Sequence, residues 1–299
     1  MFEDIRRNKI KSWLIVLLFI LVITLIIYYV CYALDFGPIS IIIALVFSIA
    51  SAWGSYYYSD KIVLSLNNAR PATKEENLKL VNILDSLVVA SGLEHTPKLY
   101  VVEDPQPNAF ATGRNPEHSV ICVTTGLLEK LEYYELEGVV AHELGHIKNY
   151  DIRLSAIVTV MVGLVVMLAD FCTRFMFFGG ASRDEDNKGN PILLVIGLIC
   201  LILAPIFGKL MQLAISRKRE FMADATAVEF TRNPEGLISA LQKLDADPNE
   251  LKTANNATSH MYIVSPFKAN AKGERKRRTN IWSTHPSIPD RIEALRNIK

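Results

Sequence analysis

Cysteine is scarce in this sequence, and its cysteines form no motif. The four cysteines, at positions 31, 122, 172 and 200, lie far apart without a CxxC pair. A disulfide framework or a cysteine-built zinc site needs closely spaced or matched cysteines, so we expect neither. We interpret the four as small buried hydrophobic side chains.

An excess of charge of either sign is also missing. The 299 residues include 32 Lys and Arg and 31 Asp and Glu, for a formal net charge of +1. This balance offers no general attraction to polyanions, so no nucleic-acid partner is expected. We interpret the basic run "KGERKRR" near the C-terminus as a solvated loop, with anionic lipid headgroups as the alternative contact.

Hydrophobic residues, by contrast, are abundant and concentrated in long runs. Half of the residues are hydrophobic, and the mean hydropathy is +0.22. Residues 12–34 and 36–59 carry no charge and are separated only by Asp35. Each run is long enough to cross a hydrocarbon core of about 30 Å as a helix, which predicts a transmembrane hairpin over residues 1–60. The alternative, a secretory signal, has a shorter apolar part than the first run.

Two further apolar runs, residues 154–169 and 191–215, are joined by a polar connector. We therefore predict a multi-pass membrane protein with about four transmembrane helices and a lipid bilayer as partner. The third run is short enough for a buried core helix to be the alternative. Basic residues flank the runs on the side of both termini, which predicts that the termini and residues 61–153 and 216–299 are cytoplasmic.

The segment between the second and third runs has the pattern of a soluble α/β unit. Thr73 and Glu76 form a capping-box pattern for a helix that stops at Gly92. Two runs rich in β-branched residues, "KLYVV" and "SVICVTT", predict strands on either side of the turn "EDPQPNAFATG". The next predicted helix carries the stretch "AHELGHIKNYD".

This stretch has the spacing of a zinc-peptidase helix. His142 and His146 lie one helical turn apart on one face, so both imidazoles can point at one zinc ion. Glu143 lies about 100° around the helix and can act as general base on a metal-activated water. The alternative is a chance match, which average residue frequencies produce in roughly one chain in a hundred of this length.

Two histidines leave a catalytic zinc one protein ligand short. His260 and His285 are candidates, but we prefer Glu220 in "REFMADATA", with Asp224 one turn later as an acceptor for a ligand histidine. The chain leaves through one apolar run and returns through the next, which brings Glu220 back to the side of His146. As the alternative, Glu220 is a surface acid paired with a neighbouring arginine.

Several blocks of the sequence resemble one known family. They are "NAFATG", "TTGLLEKL", "ELEGVVAHELGHI", "REFMADATA" and "THPSIPDRI", and together they span the soluble parts of the chain. These blocks and the spacing of the four apolar runs resemble the HtpX-type membrane-bound zinc metallopeptidases. The prenyl-protein endopeptidases of the CAAX pathway are relatives of that family.

The resemblance implies a mainly α fold with a cytoplasmic zincin-type α+β metallopeptidase domain. It implies one zinc ion held by His142, His146 and Glu220, with Glu143 as the general base. It also implies an endopeptidase of the plasma or inner membrane that degrades misfolded or damaged membrane proteins under stress. No oligomeric state follows from it.

Three residues are further candidates for substrate or oxyanion contacts. His285 and Arg291, in "HPSIPDRI", could stabilise the oxyanion of peptide hydrolysis, or else help the C-terminal helix to dock. Asn108 begins "NAFATG", which could be an exposed strand where substrate adds by β-augmentation. The alternative for this block is a turn that packs Phe110 into the core.

Two other function classes are considered. A non-catalytic membrane scaffold would keep the fold but has no need for a general base such as Glu143. A transporter would place its histidines inside the apolar runs, whereas these lie outside them. If the motif helix runs on into the third apolar run, the zinc lies on the order of 10 Å from the membrane interface.

Overall fold

Helices make up most of the chain, and one small sheet packs among them. The computed structural model describes residues 2–33, 36–178, 217–249, 258, 261–264 and 286–298. The fourth apolar run, the polar connector before it, His260 and His285 lie outside the described residues. The elements in chain order are α1 (Phe2–Ala33), α2 (Ser40–Leu66), β1 (Arg70–Pro71), α3 (Leu78–Ser91), β2 (Lys98–Val102), β3 (Ala109–Gly113), β4 (Ser119–Thr124), α4 (Thr125–Lys130), α5 (Tyr133–Lys148), α6 (Asp151–Phe178), α7 (Arg217–Thr231), α8 (Pro234–Ala246) and α9 (Ile288–Arg296).

The sheet has the strand order β1-β2-β4-β3. Strands β2 and β4 pair in parallel, and β3 pairs antiparallel with β4 at the edge of the sheet. The two strands predicted from sequence are confirmed, but the turn predicted between them contains β3. Its sequence, AFATG, has few residues that favour strands, so pairing with β4 decides its conformation.

Helix α3 begins later than the sequence pattern predicted. The Glu76 carboxylate forms an ion pair with Arg70 at 2.7 Å and does not cap Thr73. Residues 74–76 therefore form an isolated turn, and the helix begins at Leu78. The predicted end is confirmed, because Gly92 adopts the left-handed conformation with φ +68°.

The core of the soluble part lies between the sheet and helices α3, α5 and α8. Four apolar positions of the motif helix, Leu136, Val139, Val140 and Leu144, are fully buried in it, as their spacing predicted. Helix α8 approaches α5 so closely that a Cβ on Gly138 would lie 2.8 Å from the backbone nitrogen of Leu237. This tight packing fixes the position of α5 in the domain.

Helices α1, α2 and α6 pack against one another, and α2 and α6 also contact strand β3 of the sheet. In the described part of the chain, one helix is long and apolar enough to cross a membrane, namely the stretch Gly37–Leu66 that includes α2. Helix α1 has a shorter apolar part, Val16–Tyr29. Only 22 % of the apolar window in α2 is buried inside the protein, so many of its large apolar side chains face outward.

The prediction of four transmembrane helices is therefore met in part. The third apolar run lies in α6, a helix of 28 residues, which is long enough to extend well beyond the 16 residues of the run itself. Helix α6 is separate from the motif helix, since α5 ends at Lys148 and Tyr150 has φ +60°. The condition that the motif helix runs on into the third run is therefore not met.

Candidate metal centre

Helix α5 brings the two motif histidines together. The Nε2 atoms of His142 and His146 are 3.2 Å apart, and the two rings stand nearly perpendicular at 88°. The side chain of His142 is fully buried, and that of His146 is partly exposed. The i and i+4 spacing thus places two imidazole nitrogens at one point beside the core.

Helix α7 supplies the third member of the cluster. Oxygens of the Glu220 carboxylate lie 3.8 Å from Nε2 of His142 and 3.6 Å from Nε2 of His146. One ligand atom from each of the three residues lies within 4.8 Å of the other two. Helix α7 can come this close because Gly145 of α5 faces the backbone of Ala223.

The donor set and spacing fit a zinc ion. With Zn–N bonds of about 2.0 to 2.1 Å and tetrahedral angles, two ligand nitrogens are about 3.3 Å apart, close to the 3.2 Å found here. Two imidazoles and one carboxylate leave a fourth position open, as catalytic zinc sites require. His142, His146 and Glu220 together could therefore hold one zinc.

Asp224 orients the ring of His142. Its carboxylate lies 2.9 Å from Nδ1 of His142, which places the hydrogen on Nδ1 and directs Nε2 toward the cluster. Arg291 of α9 holds Asp224 in turn, through contacts of 2.9 Å and 2.6 Å. Burial alone would raise the pKa of Asp224, but Arg291 and His142 hold it below its usual range.

Asp151 orients the ring of His146 in the same manner, and sequence reasoning missed it. Its carboxylate lies 3.2 Å from Nδ1 of His146, and Arg219 lies 3.7 Å from the same carboxylate. The left-handed Tyr150 turns the chain back so that the first residue of α6 reaches His146. The signal was present in "NYD", because Asn and Asp favour helix ends and starts.

Electrostatic surroundings differ between the two histidines. Burial lowers the pKa of His142 to about 4, and the charge of Arg291 adds to this effect, although Asp224 opposes it. Burial also lowers the pKa of His146, but Asp151 and Glu220 outweigh it and raise that pKa to about 9. His142 is therefore held neutral, which is the form that binds metal.

Glu143 directly follows His142 in α5 and lies next to the three ligand candidates. Its side chain is only 2 % exposed, and the backbone N–H of Ala111 on β3 lies near its carboxylate and stabilises the charged form. Burial raises the pKa of Glu143 to about 7, with His146 opposing and Glu220 reinforcing this shift. A carboxylate with a pKa near neutrality is suited to accept and return protons.

Two of the three further candidates make contacts other than those expected. The Arg291 side chain is 1 % exposed and is engaged by Asp224 and by the Ile263 carbonyl at 3.0 Å, so it positions Asp224 and does not face a cleft. Asn108 is buried, and its amide donates to the Val264 carbonyl at 2.9 Å. His285 lies outside the described residues.

The expected exposed strand is also buried. All five residues of β3 are buried, and Phe110 packs edge-on against Tyr262. The Ile263 N–H donates to the Ala109 carbonyl at 2.9 Å, so residues 261–264 cover the first part of the open edge of β3. The later part of that edge, from Ala111, faces Glu143.

Comparison with known proteins gives consistent similarities. A family model described as "Peptidase family M48" matches residues 74–299, which include the whole cluster. A protease HtpX homolog of Dictyoglomus thermophilum is 44 % identical over 299 residues, covering 99 % of this chain and 94 % of the relative. A protease HtpX homolog of Streptococcus gordonii is 39 % identical over 303 residues, covering 100 % of both. A crystal structure of S. mikatae Ste24p is 18 % identical with a TM-score of 0.49, covering 99 % of this chain and 67 % of that chain.

Replacing Glu220 should remove metal binding, whereas replacing His260 should not. In Glu220→Ala the cluster keeps only two imidazoles, so we expect the purified protein to lose zinc that His260→Ala retains at about one ion per chain. Elemental analysis after dialysis against a weak chelator measures this. Equal zinc contents in the two variants would show that Glu220 is not a ligand.

Replacing either orienting aspartate should weaken metal binding without removing it. Asp151→Asn and Asp224→Asn each leave the three ligands in place but loosen one imidazole, so zinc affinity should fall about 10- to 100-fold. Competition with a chromogenic chelator gives the affinities. Asp85→Asn, at an exposed position of α3, is the matched control and should bind zinc as the wild type does. Wild-type affinity in Asp151→Asn would rule out its role on His146.

Proposed function

The chain belongs to peptidase family M48, and on this premise we propose that it is a zinc endopeptidase that cleaves misfolded or damaged membrane proteins at cytoplasmic segments. That it is a metalloendopeptidase follows from the family. The metal, the substrate class and the side of the membrane are the proposed parts. The observation that carries the metal assignment is the buried group of His142, His146 and Glu220, with Glu143 beside it.

We assign the ligand role to His142, His146 and Glu220 and the general-base role to Glu143. Zinc held there supplies a Lewis acid that activates water and polarises the scissile carbonyl. The Glu143 carboxylate accepts the proton of the attacking water and later returns it to the leaving amine. Its burial and its pKa of about 7 support both directions of transfer near neutral pH.

Strand β3 is the proposed platform for substrate. A peptide that added to its open edge in extended form would pass Glu143, because the Ala111 N–H already points at that carboxylate. The first part of the edge is covered, since Ile263 pairs with Ala109. The substrate would therefore pair along Ala111–Gly113 and not along the whole strand.

The proposed location in the membrane determines which class of substrate the enzyme meets most often. The apolar and outward-facing helix α2 supports a chain anchored in a bilayer. An enzyme confined to the membrane plane meets other membrane proteins at a high effective concentration. Exposed segments of misassembled membrane proteins are thus favoured over soluble unfolded proteins, as expected of quality control under stress.

The cytoplasmic orientation rests on basic residues at the ends of the apolar helices. Lys61 follows the apolar run of α2, and Arg153 precedes that of α6, on the same side as the catalytic segments. A non-catalytic scaffold, the other function considered, has no use for a general base. Burying the Glu143 carboxylate close to the Glu220 carboxylate costs free energy. A catalytic role of Glu143 explains why the carboxylate is nevertheless buried there.

Replacing Glu143 should separate metal binding from catalysis. Glu143→Gln removes the proton acceptor and no ligand, so one zinc per chain should remain while cleavage of a casein-type substrate falls at least about 100-fold. Glu137→Gln, on the same helix, is the control and should keep both activities. Residual cleavage above about one per cent of wild type would contradict the general-base role.

Thiol labelling tests the orientation directly. In a variant whose native cysteines are replaced by alanine, Phe36→Cys places a thiol between α1 and α2, and His118→Cys places one in the soluble part. Both positions are exposed. A membrane-impermeant maleimide applied to intact cells should label Phe36→Cys but label His118→Cys only after lysis. The opposite pattern would overturn the cytoplasmic assignment.

A further inference from the structure

One arginine at the start of α6 lies between aromatic rings of the two other long helices. The Arg153 guanidinium carbon is 5.7 Å from the ring centre of Trp13 on α1 and 5.1 Å from that of Tyr56 on α2. We call Arg153, Trp13 and Tyr56 the Arg153 cluster. The three helices that meet here, α1, α2 and α6, pack against one another.

Each member of the cluster marks the end of an apolar run. Trp13 is near the start of the run over residues 12–34, and Tyr56 is near the end of the run over residues 36–59. Arg153 directly precedes the run over residues 154–169. The ends of three apolar runs therefore meet at one level. Trp and Tyr are enriched at membrane–water interfaces, so the residues at this level are typical of such an interface.

Within the described residues, the Nε of this arginine is buried and has no hydrogen-bond acceptor. No carboxylate of the described chain lies within ion-pair distance of its guanidinium. A buried donor without an acceptor is unfavourable, so this position favours a ligand that brings one.

A phosphate group has the chemistry that this cluster requires. A guanidinium presents a planar fork that binds phosphate through two parallel hydrogen bonds. The rings of Trp13 and Tyr56 restrain the guanidinium by cation–π contacts and leave its polar edge for the ligand. Trp13 is itself largely exposed, so the cluster is open to the surroundings.

Two further cations contact tyrosines next to Tyr56 in α2, where Asp60 also lies. Lys61 lies 5.4 Å from the ring centre of Tyr58, and the guanidinium of Arg114 lies 4.9 Å from that of Tyr57. Tyr57 and Tyr58 of α2 thus each contact the side chain of a basic residue. Arg114 differs from Arg153, because it already donates to the Tyr57 carbonyl at 3.2 Å.

We propose that the Arg153 cluster is a binding site for the phosphate of an anionic phospholipid headgroup. The acyl chains would lie along the outward-facing apolar side chains of α1 and α2. The headgroup would join the first turn of α6 to the hairpin of α1 and α2. This inference rests on the membrane location proposed above and is independent of peptidase activity.

Native mass spectrometry of the detergent-purified full chain tests the site. Phosphatidylglycerol and phosphatidylcholine with identical acyl chains are added in turn, and retained lipid is counted as a function of concentration. We expect tighter retention of phosphatidylglycerol, by about fivefold or more, because each basic residue near an anionic surface contributes about that factor. Equal retention of the two lipids would overturn the proposal.

Substitutions of Arg153 test whether this residue is responsible for the preference for phosphatidylglycerol. Arg153→Gln should reduce phosphatidylglycerol binding about fivefold and leave phosphatidylcholine binding unchanged. Arg153→Lys keeps the charge but loses the planar fork, so it should fall between wild type and Arg153→Gln and provides a test if the neutral variant folds poorly. Arg114→Gln is the matched control. If it weakened binding as much as Arg153→Gln, general surface charge and not this site would be responsible.

Free phosphate is the alternative source of the same chemistry. Inorganic phosphate at millimolar concentration, with chloride at equal ionic strength as control, is added to the lipid-bound protein. The lipid should stay bound, since its acyl chains contribute to the affinity. Displacement by phosphate alone would mean that the cluster recognises a soluble anion. A protein that retained neither lipid would likewise overturn the lipid site, with the cleavage assay unaffected.

Discussion

The buried ion pair between Arg291 and Asp224 is the contact on which the metal centre depends. The metal centre brings two imidazoles and the carboxylates of Glu143, Glu220 and Asp224 together in the protein interior, where an unpaired charge is energetically costly. Arg291 is fully buried and lies 2.6 Å from Asp224 and 3.9 Å from Glu220. A helix that follows Asp224 by more than sixty residues thus supplies compensating positive charge for the site.

The same arginine connects the site to the rest of the molecule. It donates to the Ile263 carbonyl, and the Ile263 N–H donates to Ala109 on the edge of β3. The next residue back, Tyr262, donates its hydroxyl to Asn67 at the end of α2 at 2.8 Å. A short segment therefore touches the orienting ion pair, the proposed substrate strand and the apolar hairpin.

How far the sequence predicted this arrangement depends on the range of the interactions. The i and i+4 spacing of His142 and His146 is a local property, so a helical pattern was sufficient to pair them. Glu220 required a ligand count and a topological argument, and the sequence left Arg291 open between an oxyanion contact and helix docking because its partner Asp224 is not local. Strand β3 was left open between an exposed strand and a turn for a related reason, since its small residues become a strand only through pairing with β4. Asp151 is local, but it reaches His146 only because Tyr150 takes a left-handed conformation that continuous helical periodicity does not indicate.

This one bend also changes where the chemistry lies relative to the membrane. A continuous helix from His146 would have set the metal on the order of 10 Å from the boundary. In the structure Asp151 contacts His146 directly, and Arg153, two residues later, begins the apolar part of α6. Two residues of helix rise only about 3 Å. If Arg153 marks the boundary, the backbone of Asp151, whose side chain contacts the ligand candidate His146, lies within about one helical turn of it.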